Sequence, residues 1–150
     1  MPQSLAHILI HLVFSTKDRA RLIDDAIRPE LHAYLATIFK DNDSPALLIN
    51  SVEDHVHVLF VLSRTHTLSK VVEEIKKGTS KWIKTKGVKY GTFAWQNGYG
   101  AFSVSESNAD SVLKYIAGQK EHHRVKTFEE EFRSFLEKHR MKYDEKYVWD

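Results

Sequence analysis

Asp54-His55-Val56-His57-Val58-Leu59-Phe60-Val61 is the stretch whose reading decides the fold of this chain. Its β-branched and aromatic residues predict a buried strand. Side chains in a strand alternate faces, so Val56, Val58, Phe60 and Leu62 point together into a core, and His55 and His57 point together the other way. Two imidazoles at i and i+2 on one face are placed to share a cation. Taken alone, such a pair is more often two ordinary half-buried histidines. A second element changes the weighting: Tyr115-Ile116-Ala117-Gly118-Gln119 lies in a helical pattern. A spacing of four there puts the phenol and the amide on one helix face, about 6 Å apart along the axis.

Working outward from the histidine strand, Ala46 to Val52 reads as a strand that turns tightly into it, a hairpin. Upstream, Leu5 to Phe14 alternates as a further strand, with Ile8, Ile10, Leu12 and Phe14 on one face and His7, Leu9, His11 and Val13 on the other. Apolar spacing through Ile27, Leu31, Tyr34, Leu35 and Ile38 predicts an amphipathic helix, with Pro29 in its first turn. Asp41 to Pro45 breaks it. Downstream, Leu68 to Lys84 has helical spacing despite Gly78. Phe93 to Tyr99 reads as a turn-interrupted strand leading to Ala101 to Ser105. A helix capped near Asn108 carries Tyr115 and Gln119, and Thr127 caps a last helix from Phe128 to Arg140.

Strand, helix, strand, strand, helix, strand, helix is the split βαβ order of an α+β fold, a ferredoxin-like antiparallel sheet covered by helices. The first and third strands are central neighbours in that topology. His7 or His11 is therefore expected near His55 and His57.

The 150 residues suit one domain spanning 1–150, large enough to bury a core without staples. With no cysteine there is neither a disulfide nor a thiolate metal site, in keeping with a cytoplasmic protein. No apolar run is long enough for a membrane span, and the N-terminal residues lack the pattern of a secretion signal. The formal net charge of +2 is mild, so a nucleic-acid role would rest on where the charge sits. It gathers as Lys76, Lys77, Lys81 and Lys84 on one helix and as Lys17 and Arg19 after the first strand. A lysine-rich helix face is usually just solvated; with a DNA substrate it becomes a backbone contact.

Two neutral imidazoles and an amide oxygen leave coordination positions open, as a catalytic metal site requires. A phosphate substrate adds hard oxygens, which shifts the balance among ions towards Mg²⁺ or Mn²⁺. A tyrosine beside such an ion is a candidate nucleophile for phosphoryl transfer through a covalent phosphotyrosine.

Asp54-His55-Val56-His57, the turn Trp95-Gln96-Asn97-Gly98-Tyr99 and Tyr115-Ile116-Ala117-Gly118-Gln119, in that order, resemble the single-tyrosine HUH transposases, which move insertion sequences as single-stranded DNA. The resemblance runs from about Leu5 to Gln119. It implies a ferredoxin-like core, a homodimer and DNA ends with hairpins. It also implies a divalent metal held by His55, His57 and Gln119, Tyr115 as nucleophile, and a tyrosine helix that commonly serves the partner subunit. It implies no role for the segment after His122, and His122 and His123 are expected to be exposed. Trp95, Tyr99 and Phe102 are expected in the core or a dimer contact. The competing reading is a noncatalytic single-stranded nucleic-acid-binding protein of the same fold. A histidine-dependent nucleotide hydrolase is disfavoured, because Leu59 stands where its third histidine would be.

Overall fold

The computed structural model describes residues 2–123 and 126–150. Four strands, β1 (Leu9–Ser15), β2 (Ala46–Ser51), β3 (His55–Val61) and β4 (Gly100–Val104), form one antiparallel sheet in the order β2-β3-β1-β4. Helices α1 (Arg28–Asp41) and α2 (Leu68–Ile83) cover one face. Helices α3 (Ala109–Ala117), α4 (Gln119–His122) and α5 (Phe128–Lys138) lie on the other. This is the expected α+β sandwich, with the first and third strands side by side at its centre.

The period-two reading of β1 and β3 holds on both faces. Ile10, Leu12, Phe14, Val56, Val58 and Phe60 join Leu31, Leu35, Phe39, Val71 and Ile75 in the main core under α1 and α2. Burying so many aliphatic and aromatic side chains, at roughly 1.5–3 kcal/mol each, is what holds this layer together. The opposite residues, Leu9, Val13 and Leu59, pack under α3 and α5. Pro29 starts α1 as expected, and Thr67 caps α2 by accepting the Lys70 N–H at 3.2 Å. Gly78 does not break α2 because it serves the contact with α1: a Cβ there would lie 2.7 Å from Ile38 Cδ1.

Three boundaries differ from expectation. β1 begins at Leu9 rather than Leu5, because its neighbours end opposite Leu9 at Val61 and Val104; Leu5 is left 87% exposed. Phe93 to Tyr99 is irregular apart from one bridge between Thr16 and Trp95. The tyrosine helix stops at Ala117, since Gly118 leaves the helical region (φ −89°, ψ 15°), and Gln119 opens a separate turn. Tyr115 and Gln119 still meet across the break, with Gln119 Nε2 donating to the Tyr115 carbonyl at 3.3 Å.

Candidate active site

The β1–β3 register places Val13 opposite His57 and Ser15 opposite His55, so His11 lies diagonally across from His57 on the same face. His11 Nε2 is 2.9 Å from His57 Nδ1, which settles the choice between the two first-strand histidines. His7 instead sits outside, paired with Glu106 at 2.7 Å. The Nδ1 of His55 donates to Asp54 Oδ1 at 2.6 Å. Each ring of the pair is thus held from behind at Nδ1, and both Nε2 atoms face the same space. That is how protein metal sites orient ligating histidines.

What occupies that space is a side chain the sequence reading passed over. Glu131, in the first turn of α5 and 2% exposed, accepts from His57 Nε2 at 2.9 Å and lies 3.4 Å from His55 Nε2 through Oε1. Its Oε2 lies 3.2 Å from His123 Nε2 and accepts the Tyr115 hydroxyl proton in a short hydrogen bond. His123 Nε2 also lies 3.0 Å from both His55 Nε2 and Gln119 Oε1. The ligand atoms of His55, His57, His123 and Glu131 all lie within 4.8 Å of one another. Imidazole nitrogens with a carboxylate oxygen suit a divalent ion, so this group can hold one.

One expectation is corrected here. His123 is not exposed: its side chain is 12% accessible and belongs to the cluster, while His122 stacks on the Tyr115 ring at 4.5 Å. The segment after His122, to which the sequence reading assigned no role, brings Glu131 to this cluster. A signal for Glu131 exists in the sequence. It falls three residues after Phe128 and four before Phe135, on the apolar stripe of its own helix, where a solitary carboxylate needs a partner.

Burial is the largest single influence on the titration of each of Glu131, His57, His11, His55 and Tyr115. Burial would push the Glu131 carboxyl up, but hydrogen bonds from His123, His55 and His57 outweigh it and hold the group well below the usual carboxylate range. Burial dominates at His57, which is pushed down to about 4, and at His11, pushed down to about 3. At His55 burial acts in the same direction, yet Asp54 and Glu131 together leave it raised. Burial, then the Glu131 charge, raises the Tyr115 phenol, so it stays protonated and hydrogen-bonded at neutral pH. A cavity of about 290 Å³ opens beside it, lined by His11, Ser111, Tyr115, Lys126, Glu131 and Lys138 among others. A larger cavity of about 470 Å³ lies on the other side of the sheet, along α2, away from this chemistry.

The basic residues are dispersed. Lys77 and Lys81 are exposed on α2, Lys84 is exposed just past its end, and Lys17 is exposed after β1. Lys76 is half-buried instead: its Nζ donates to the Gln96 carbonyl at 2.8 Å and to that of Gly98, over the rings of Phe14 and Tyr99. It therefore supports the Gln96 to Gly98 turn rather than facing solvent. Arg19 Nε pairs with Glu129 on α5 at 3.1 Å. Trp95 and Phe102 are core residues as expected, and Tyr99 packs at the core's margin. Among the described residues no helix is long and apolar enough to cross a membrane.

Comparisons with known proteins bear on family and fold. Residues 4–119 match the family described as transposase IS200-like. No curated protein matches the chain. Among solved structures, a candidate transposase from Deinococcus radiodurans R1 is similar at 22% identity and a TM-score of 0.62, over 79% of this chain and 98% of that one. The REP-associated tyrosine transposase bound to a REP hairpin is similar at 14% identity and a TM-score of 0.59, over 82% of this chain and 74% of that one. At these identities the two structures speak for the fold.

Proposed function

We propose, from the premise that this chain belongs to the IS200-like transposase family, that it cleaves and rejoins single-stranded DNA through a covalent phosphotyrosine at Tyr115. The observation that carries this reading is the convergence on one carboxylate. The Tyr115 hydroxyl and the Nε2 atoms of His55 and His57 all reach Glu131, the latter two at 3.4 and 2.9 Å. The nucleophile and the histidine pair are thus close enough to act on one phosphodiester.

A divalent ion, Mg²⁺ or Mn²⁺, fits His55 and His57 with Gln119 as the amide donor; when bound it supplies charge stabilisation to a phosphoryl oxygen. The rest is done by the chain. Glu131 Oε2 and the rings of His122 and Phe135 fix the phenol. Asp54 and His11 keep the two imidazoles turned inward. Attack of Tyr115 Oη on phosphorus forms the Oη–P bond, breaks the bond to the leaving deoxyribose oxygen and passes the phenol proton, by way of Glu131 Oε2 or water, to that oxygen, which departs as a hydroxyl. Because the bond energy is kept in the phosphotyrosine, the reverse attack rejoins a strand without a nucleotide cofactor.

The solved REP complex supports a hairpin-bearing single strand as the partner. Lys17, Arg19, Lys77, Lys81 and Lys84 are the proposed backbone contacts, and Lys76 acts behind them. A homodimer is proposed as well, since β2 and β4 each pair on one side only and leave two sheet edges for a second copy.

The test is to incubate the full chain with Mn²⁺ and labelled single-stranded oligonucleotides carrying a hairpin, then to search for a denaturant-stable adduct and map it by mass spectrometry. An adduct on the peptide containing Tyr115 is expected. Hairpin binding without any adduct would overturn the enzymatic reading in favour of the noncatalytic one.

A further inference from the structure

We propose that Glu131 is itself a metal ligand, so that the C-terminal helix, outside the segment that matches the family, completes the metal centre. The inference rests on the metal-dependent reading above and adds a residue to it.

The position of Glu131 is set by packing rather than by its own ion pairs. Thr127 caps α5 by accepting the Glu130 N–H at 3.2 Å. Phe128, Phe132 and Leu136 then pack on Val13 and Phe102 of the sheet. Gly100 makes room for this docking, since a Cβ there would lie 2.6 Å from Phe132 Cε2. The far end of the chain adds a strap: Arg133 Nε and a terminal nitrogen each reach Glu145 at 2.9 Å, and the Asp150 carbonyl accepts the Gly98 N–H at 2.8 Å. With α5 anchored at both ends, the carboxylate between Phe128 and Phe135 can only face the histidines.

A carboxylate in so closed a place requires a cation or several donors. Glu131 meets three imidazole nitrogens, and the rings of His55 and His57 are held at the back by Asp54 and His11; such nitrogens are as suited to binding an ion as to donating a proton. Oε1, 2.9 Å from His57 Nε2 and 3.4 Å from His55 Nε2, is the oxygen that would hold an ion together with those two nitrogens. Oε2 keeps the Tyr115 hydroxyl. The donor set then has a consequence: two imidazoles alone favour later transition metals, whereas an added carboxylate oxygen improves the site for Mn²⁺ and Mg²⁺. Gln119 is neutral, and its Oε1 reaches the cluster at His123 Nε2, at 3.0 Å, so it contributes less than a charged carboxylate.

The test measures Mn²⁺ binding by the full chain without DNA, from the loss of the free-ion electron paramagnetic resonance signal. Glu131→Gln keeps the size and the hydrogen-bonding reach of the side chain but removes its charge, and is expected to weaken Mn²⁺ binding at least tenfold. Glu131→Asp is expected to recover part of it, and Gln119→Ala to lose less than Glu131→Gln. Circular dichroism checks folding; should Glu131→Gln not fold, the comparison passes to Glu131→Asp, expected to bind more weakly than the parent. Unchanged or tighter Mn²⁺ binding in the folded variant would overturn the proposal, the tighter case making α5 a plug. His55→Ala and His57→Ala separate the two readings. Loss of Mn²⁺ in these, with full retention in Glu131→Gln, overturns the role of Glu131 alone. A parent chain that binds no Mn²⁺ overturns both.

Discussion

Tyr115→Phe removes one oxygen and separates chemistry from architecture. The ring is held by contacts that do not involve the hydroxyl: it stacks on His122 at 4.5 Å and meets Phe135 edge-on at 5.5 Å. What is lost is the hydrogen bond to the Glu131 carboxylate. A hydrogen bond to a charged group contributes about 1.5–3 kcal/mol, and Oε2 keeps His123 at 3.2 Å, which places the cost near the lower end. For a chain of 150 residues, a loss of about 1.5 kcal/mol lowers Tm by roughly 3–6 °C. The variant should therefore fold, bind the hairpin oligonucleotide with nearly the parent affinity, melt a few degrees lower and form no adduct at all. Differential scanning calorimetry, fluorescence anisotropy and a denaturing gel read these three quantities on one preparation. A covalent adduct in Tyr115→Phe would remove Tyr115 from its proposed role. An unchanged Tm would instead refute the energetic reading of its contact with Glu131.

Three further outcomes are expected. The folded pKa of His57, about 4, lies below its ordinary 6.5, so the unfolded chain takes up this proton first. Stability of the metal-free chain is then level above pH 6.5 and falls as pH drops towards 4, by roughly 3 kcal/mol from this group; urea unfolding with the same free energy at pH 7 and pH 4.5 would contradict it. Replacing Lys77 and Lys81 by Ala should reduce the slope of log affinity against log salt by about 0.7 per lost contact, equally for all single-stranded sequences; an unaltered slope returns this helix face to simple solvation. Light scattering at micromolar concentration should give the mass of two chains, and a monomeric mass would exclude the homodimer.

The sandwich was legible because both of its faces are written locally. Alternation through Ile10 to Phe14 and Val56 to Phe60, and the three- and four-residue spacing of α1 and α2, depend only on how a strand or helix presents neighbouring side chains. The same periodicity put His55 and His57 on one face, and helical spacing put Tyr115 and Gln119 together. Where spacing was a weak guide, it failed for physical reasons. Lys76 reads as one more lysine on a charged helix, but the carbonyls of Gln96 and Gly98 that draw it inward lie about twenty residues away. Gly118 breaks a helix that the pattern continues.

Glu131 shows the limit most clearly. Nothing within a few residues of it says which surface α5 will cover. That depends on the absence of a Cβ at Gly100, on Val13 and Phe102 offering an apolar seat, and on the strap that joins Asp150 to Gly98. The sequence by itself determined the sheet, its register-bearing faces and the residue types brought to the centre. Only the tertiary structure decided that a carboxylate 74 positions from His57 would stand between the histidines and the tyrosine, because long-range packing, unlike periodicity, leaves no repeat in the chain.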